Sequence, residues 1–371
     1  MSNFKNVKKR SVYIDIVKGF AIIAVVLLHV DFTWPQYKLL HLNSILGWLW
    51  HVPVFFCIGG FFIKEEKLQN PISFIKNKFR SLYLLALYIY FPATLLHNFL
   101  FKINWYSSEA IYGGKIINEW SLQEYIINCL KTLLCAGREP IMGAMWFVYT
   151  LLFALCGLSI ISYLVKKCTK NEKQYEWTRF ILLLALQIIS CIATSKFNFT
   201  IPRFSNAITV MLLIYLGEQI NNRFKLQFDN WGCAIFSLLI FYQTSILFGD
   251  GIIGLNNNAY HDALQLTISC CAATYLLCFI AKKIEHSKIG KLIAICGKES
   301  FYIMGLHIVG FKLCSTILIQ LGYINGGLEQ LMTPAIENNL FLLLIYTTCG
   351  VIIPIIVITL VRKIKLLILK N

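Results

Sequence analysis

The chain has 371 residues, 57% of them apolar and 14% charged, with 34 basic residues against 18 acidic ones for a net charge of +16. Soluble domains run at about 45–50% apolar and about 25% charged, and disordered chains lack the 14% of aromatics present here, so both classes are excluded. The basic residues fall in short clusters between long apolar runs rather than on one soluble face, which argues against a nucleic-acid partner and leaves a polytopic membrane protein.

A spanning helix needs about 20 mostly apolar residues. In chain order ten segments qualify: Ser11–Val30, Ile45–Ile63, Ser81–Phe101, Met145–Val165, Phe180–Thr194, Asn206–Ile220, Trp231–Phe248, His261–Ala281, Ser300–Leu321 and Leu340–Val361. The fifth and sixth are short. No small-residue cleavage site follows the first, which reads as an uncleaved signal anchor. The expected fold is an all-α transmembrane helix bundle of about ten spans, one domain over residues 1–371, with both termini cytoplasmic.

Charge placement supports that count, because cytoplasmic loops are enriched in Lys and Arg. Lys5, Lys8, Lys9 and Arg10 precede the first span; Lys64, Lys67, Lys76, Lys78 and Arg80 precede the third. Lys166, Lys167, Lys170, Lys173 and Arg179 lie between the fourth and fifth, and Arg223 and Lys225 after the sixth. Lys282, Lys283, Lys288, Lys291 and Lys298 follow the eighth, and Arg362, Lys363, Lys365 and Lys370 form the tail. Together they make 25 of the 34 basic residues. The opposite loops hold seven: Lys38, Lys102, Lys115, Lys131, Arg138, Lys196 and Arg203. The positive charge is thereby explained by an anionic leaflet. The apolar, Lys- and Asn-rich composition fits a multi-pass protein of a bacterial cytoplasmic membrane.

No repeat, low-complexity tract or Pro- or Ser-rich linker interrupts the chain. The 13 cysteines are scattered without a C-x-x-C pair and mostly sit in apolar runs, as small hydrophobes do. In the longest outer loop, Ser121–Cys135 (SLQEYIINCLKTLLC) has helical apolar spacing; it reads as a helix that lies at the interface, dips into the bundle or covers a site.

Ionisable groups inside spans cost roughly 2.5–3.5 kcal/mol each on insertion scales, so each marks a candidate site. The first span, YIDIVKGFAIIAVVLLHV, carries Asp15, Lys18 and His29. At about 100° per residue, Lys18 and His29 lie about 20° apart around the helix, with Asp15 within about 60° of both. They are separated by about 16 Å along the axis, near the length of a pantetheine arm. Lys18, paired with Asp15, would meet an anionic head from the cytoplasm, and His29 would act as a general base near the outer end. Equally, Asp15 and Lys18 make an interfacial ion pair while His29 reaches the outer headgroups. His51 follows in the second span, within WHVPVFFCIGGFF, where Pro53, Gly59 and Gly60 permit a bend and close helix approach. Trp146 opens the fourth span in GAMWFVYTLL, at aromatic-belt depth, and His307 lies near mid-membrane in CGKESFYIMGLH. The histidines lack local ligand spacing, and no metal is expected.

These blocks, in this order, resemble the acyltransferase 3 family of integral membrane O-acyltransferases. The match rests on the Lys18–ten residues–His29 spacing behind Asp15, on the HVPVFFCIGGFF, GAMWFVYTLL and GKESFYIMGLH blocks, and on KNKFRSLYLL, where Lys78 and Arg80 enter the third span. The resemblance implies transfer of an acyl group, usually acetyl, from cytoplasmic acetyl-CoA to a hydroxyl of a sugar or glycan at the outer face. Carried over, Lys18 contacts the donor, Lys78 and Arg80 bind its phosphates, and His29, with Asp15 in the catalytic set, removes the acceptor's proton. His51, Trp146 and His307 then line the site. Many relatives have arginine at the position of Lys18; lysine keeps the charge and loses the bidentate fork. The alternative reading of the same intramembrane charges is a transporter or flippase of a glycan intermediate.

Overall fold

The computed structural model describes residues 11–34, 42, 44–106, 111–112, 115–247, 254–260, 263–325, 334 and 336–368. Lys5, Lys8, Lys9, Arg10, Lys38 and Lys370, and the span-edge residues Phe248 and His261, lie outside them. Helix α1 (Val12–Leu28) runs unbroken through the first apolar segment. A π-turn at Ser44–Trp48 leads into α2 (His51–Gly60). After α3 (Glu65–Leu68), α4 (Pro71–Lys78) starts with Pro71 in its first turn and the Asn70 side chain accepting from the Ser73 N–H, two ordinary helix-start signals. It passes through a π-turn at Phe79–Tyr83 into α5 (Leu84–Leu95), and α6 (His97–Lys102) ends that run.

A minimal antiparallel hairpin pairs Ile111–Tyr112 with Lys115–Ile116, and α7 (Leu122–Leu133) follows. Then come α8 (Trp146–Cys168), α9 (Glu172–Phe197), α10 (Phe204–Glu218), α11 (Trp231–Leu247), α12 (Ala263–Ile284), α13 (Lys288–Lys298), α14 (Ser300–Gln320) and α15 (Leu340–Ile368). The fold is an all-α helical bundle, and all thirteen cysteines are free.

Among the described residues, five helices are long and apolar enough to cross a membrane: Pro140–Cys168, Glu172–Phe197, Ala263–Ile284, Ser300–Gln320 and Leu340–Ile368. The other five expected spans coincide with the shorter apolar helices α1, α2, α5, α10 and α11. The structure departs from expectation at α9, which begins eight residues before Phe180. The polar start read as a loop is helical because its charges are satisfied inside the bundle. Arg179, fully buried, donates to Glu218 at 2.5 Å and to the Tyr175 hydroxyl at 2.6 Å. Tyr215 donates to Glu176 at 3.0 Å.

A second departure is α13, expected to be part of a basic loop. It is an amphipathic helix laid against the N-terminal half of α1. An added Cβ at Gly297 would collide with the Asp15 carbonyl oxygen, and one at Gly19 with the Ile293 carbonyl oxygen, so only glycines allow this backbone approach. The α2–α10 crossing is equally close: Gly60 faces the Ile214 carbonyl and Gly217 the Cys57 carbonyl. Its register is fixed by Asn221 donating to Phe61 O at 3.0 Å and Asn222 to Ile63 O at 2.5 Å. α1 is the hub, with α2, α12, α13, α14 and α15 all packed on it.

α7 begins with a Ser121–Glu124 capping box and lies antiparallel along α5. At one end Tyr125 Oη donates to Leu95 O; at the other Tyr83 Oη donates to Leu133 O at 2.7 Å. Leu122, Ile126 and Leu130 face outward. Within α7 only Thr132 is buried, so the helix lies on the surface of the bundle against α5.

Candidate functional site

α1 carries Asp15, Lys18 and His29 on one continuous helix, so the axial separation of about 16 Å between Lys18 and His29 applies to the folded chain. His29 is the C-cap, where the helix leaves its last carbonyls open. Its Nδ1 lies 2.7 Å from Val25 O. A carbonyl only accepts, so Nδ1 carries the proton and Nε2 presents a lone pair. His51, at the first turn of α2, repeats the device with Nδ1 2.6 Å from Gly47 O. His307 on α14 repeats it again, 3.0 Å from Ile303 O. Three histidines from three helices are thereby fixed in the same tautomer, each by a main-chain carbonyl four residues earlier.

The histidines converge. The His29 and His307 rings meet edge to face with centroids 4.9 Å apart. His29 and His51 line one cavity of about 190 Å3, together with Trp146, Phe147, Ala144, Met304 and the loop residues Gly254, Leu255 and Asn256. A water occupies about 30 Å3 of liquid, so the cavity suits a small acyl group and an attacking hydroxyl rather than a whole cofactor. His307 is fully buried directly behind His29, and its Nε2 has no hydrogen-bond partner among the described residues. Trp146, read as a belt residue, lines this cavity at the head of α8. Phe147 behind it is wedged against Phe55 and Phe56 at 5.6 and 4.7 Å.

The other expected residues sit elsewhere. Asp15 is buried at the opposite end of α1, about 21 Å along the axis from His29, where its backbone carries the α13 contact. It is therefore outside the histidine cavity and bears on the Lys18 end alone. Lys18 is half-buried with Nζ 4.5 Å from the centroid of Phe62, just beyond the C-terminal end of α2. Lys78 closes α4 with Nζ 5.1 Å from the Phe74 ring, and Arg80 is exposed in the π-turn that follows.

Two parts of the site were not read from the sequence. One is the loop 254–260, which supplies a wall of the cavity from the connection between α11 and α12. Its only sequence signal is the Asn256–Asn257–Asn258 run. The other is a buried polar brace beneath the segment leading to Trp146. His97 donates Nδ1–H to Glu139 at 2.9 Å and Nε2–H to Asn118 O at 3.1 Å, with Trp120 stacked on its ring. Tyr106 donates to the other Glu139 oxygen, and the Glu139 N–H donates to Tyr90 Oη at 3.0 Å. Burial pushes the Glu139 carboxyl upward from the ordinary range, and the His97 hydrogen bond and charge oppose that. Glu139 directly precedes the 3₁₀ segment Pro140–Met145, so this brace fixes where Trp146 begins.

Among the described residues, one set of carboxylates, Glu65, Glu172 and Glu176, brings oxygens within 4.8 Å of one another at the N-terminal end of α9. Lys166 pairs with Glu172 at 2.5 Å and Arg223 with Glu176 at 3.3 Å, which balances that charge. The set is remote from the histidines in the fold.

Set against known proteins, residues 11–360 match the acyltransferase 3 family model, described as an acyltransferase domain. No curated protein and no solved structure matches the chain.

Proposed function

The chain belongs to the acyltransferase 3 family, and from that membership we propose that it moves an acetyl group from cytoplasmic acetyl-CoA to a hydroxyl of a sugar or glycan at the outer face of the membrane. The observation that carries this reading is the pair of histidines, His29 and His51, each with Nδ1–H held by a main-chain carbonyl, that line one small cavity at the far end of the helix that bears Lys18. Lys18 holds the anionic part of the donor near the cytoplasmic ends of α1 and α2, with Lys78 and Arg80 on the same side of the bundle. The pantetheine arm runs along α1 toward the cavity and places the thioester beside His29.

His29 Nε2 then removes the acceptor's hydroxyl proton as its oxygen attacks the thioester carbon, and returns that proton to the leaving sulfur. General base work of this kind contributes about 10²–10⁴-fold, and alignment of thioester and hydroxyl supplies more. His51 and Trp146 shape the acceptor side. His307, packed against His29, limits the rotamers open to that ring.

The test is label transfer from radiolabelled acetyl-CoA into endogenous glycan, in membranes holding equal amounts of wild type, His29→Ala or Lys18→Ala. Label incorporated by wild type and lost in His29→Ala supports the reading. Equal label in all three removes His29 from the chemistry. Substrate movement across the bilayer without consumption of acetyl-CoA favours a transporter instead.

A further inference from the structure

His29, His51 and His307 have each committed Nδ1–H to a main-chain carbonyl, so that N–H is not left to donate. The negative oxygen of a tetrahedral intermediate needs N–H or O–H donors placed in advance. Among the described lining residues, Val25, Leu28, Val52, Ala144, Phe147 and Leu255 offer no polar side-chain atom, and the remaining side-chain donors are the Trp146 indole N–H and the Asn256 carboxamide.

Asn256 sits on a loop whose other polar groups are spent on holding it still. Asn258, left-handed at φ 55 and buried, donates to Ser190 at 3.0 Å and to Thr194 at 2.8 Å, and accepts from Thr209 at 2.8 Å. Asn206 donates to Leu255 O, and the N–H groups of Asn257 and Ala259 both close on Gly254 O. The loop is thus bolted to α9 and α10, while the Asn256 side chain stays exposed at the cavity. That sets the backbone beneath the carboxamide before the reaction begins.

We propose that the Asn256 carboxamide N–H is the side-chain donor that stabilises the oxyanion of the transfer step. The assignment rests on the acyl-transfer reading above. The acceptor oxygen bonds to the thioester carbon, the carbonyl pair moves onto its oxygen, and the hydroxyl proton passes to His29 Nε2. Asn256 donates to that oxygen while it is negative. Collapse restores the carbonyl and breaks the C–S bond, and the thiolate recovers the proton from His29, giving an ester and free CoA.

The experiment uses the full chain in membranes, with acetyl-CoA and endogenous glycan as the substrates and acetyl-CoA hydrolysis as a second readout. Asn256→Ala should lower turnover by about 10²–10³-fold, the range for loss of one such donor, with KM for acetyl-CoA unchanged. Asn256→Asp keeps the shape but offers only acceptors, and should lose at least as much. Asn256→Gln should recover part of the rate. Hydrolysis should fall together with transfer, because both pass through the same oxyanion, and the unfolding temperature should not move. The assignment is overturned by Asn256→Ala turnover within about threefold of wild type, by loss of transfer with hydrolysis kept, or by a loss that tracks a lowered unfolding temperature. A wild type that transfers no label fails the acyl-transfer reading itself, which is a separate result.

Discussion

The two ends of α1 are built in opposite ways. At its N-terminal end the helix is gripped backbone to backbone, with α13 seated on Gly19 and on the Asp15 carbonyl through Gly297. At its C-terminal end it stops at His29, which lines a cavity, with Nδ1 held by its own Val25 carbonyl and the ring of His307 beside it. Close glycine packing leaves no room for a ligand, so it suits an end that must hold position while Lys18 projects to one side. The open end keeps polar side chains available at a cost that only a functional role explains. On the proposed reading, one helix offers a fixed grip and a reactive tip, a fixed distance apart.

The sharpest way to break that contrast is at the tip. His29→Ala should lower turnover by about 10²–10⁴-fold with donor affinity retained, measured as kcat and KM for acetyl-CoA on purified protein. A change of KM alone would move His29 to the binding end. At the grip, Lys18→Ala should raise KM for acetyl-CoA by about 10–100-fold, the worth of a charged hydrogen bond, and Lys18→Arg should keep most of the affinity. A fall in kcat with KM unchanged would contradict that role.

Smaller effects test the scaffolding of each end. Gly297→Ala inserts a methyl group where the Asp15 carbonyl stands, and should destabilise by about 1–3 kcal/mol, read as a lower unfolding temperature in detergent. Glu139→Gln removes the buried charge opposite His97 and should cost about 1–3 kcal/mol, together with a modest loss of turnover as the segment before Trp146 loosens. Unchanged stability in that variant would show that the brace does not set the position of Trp146.

The same contrast explains what was legible in the sequence. His29, His51 and Lys18 stand out because a polar group in an apolar run is expensive wherever the helix goes, and the 3.6-residue period already aligns Lys18 with His29. Trp146 reads as a belt residue from its position at a helix start and as a site-lining one from the family resemblance, and the cavity has it in the wall. The glycine-mediated seat of α13 was hidden because Gly19 and Gly297 acquire meaning only when two distant segments touch. Arg179 was taken as the edge of a loop because its partner, Glu218, lies 39 residues on. Asn256 gave no signal of its own: its loop is positioned by Asn206 and Asn258, through bonds spanning 49 to 68 residues. Local periodicity finds spans and the costly residues in them, whereas long-range polar bonds decide which of those residues meet.

The most direct test of the division of labour along α1 is a steady-state comparison of purified wild type, His29→Ala, Lys18→Ala and the double variant, with acetyl-CoA varied and release of free CoA followed. A loss confined to kcat for His29, a loss confined to KM for Lys18, and a double variant that shows both independently are the predicted results. Loss of donor affinity in His29→Ala equal to that in Lys18→Ala, with kcat preserved in both, would contradict it and would make the whole face of α1 a binding surface with the chemistry elsewhere.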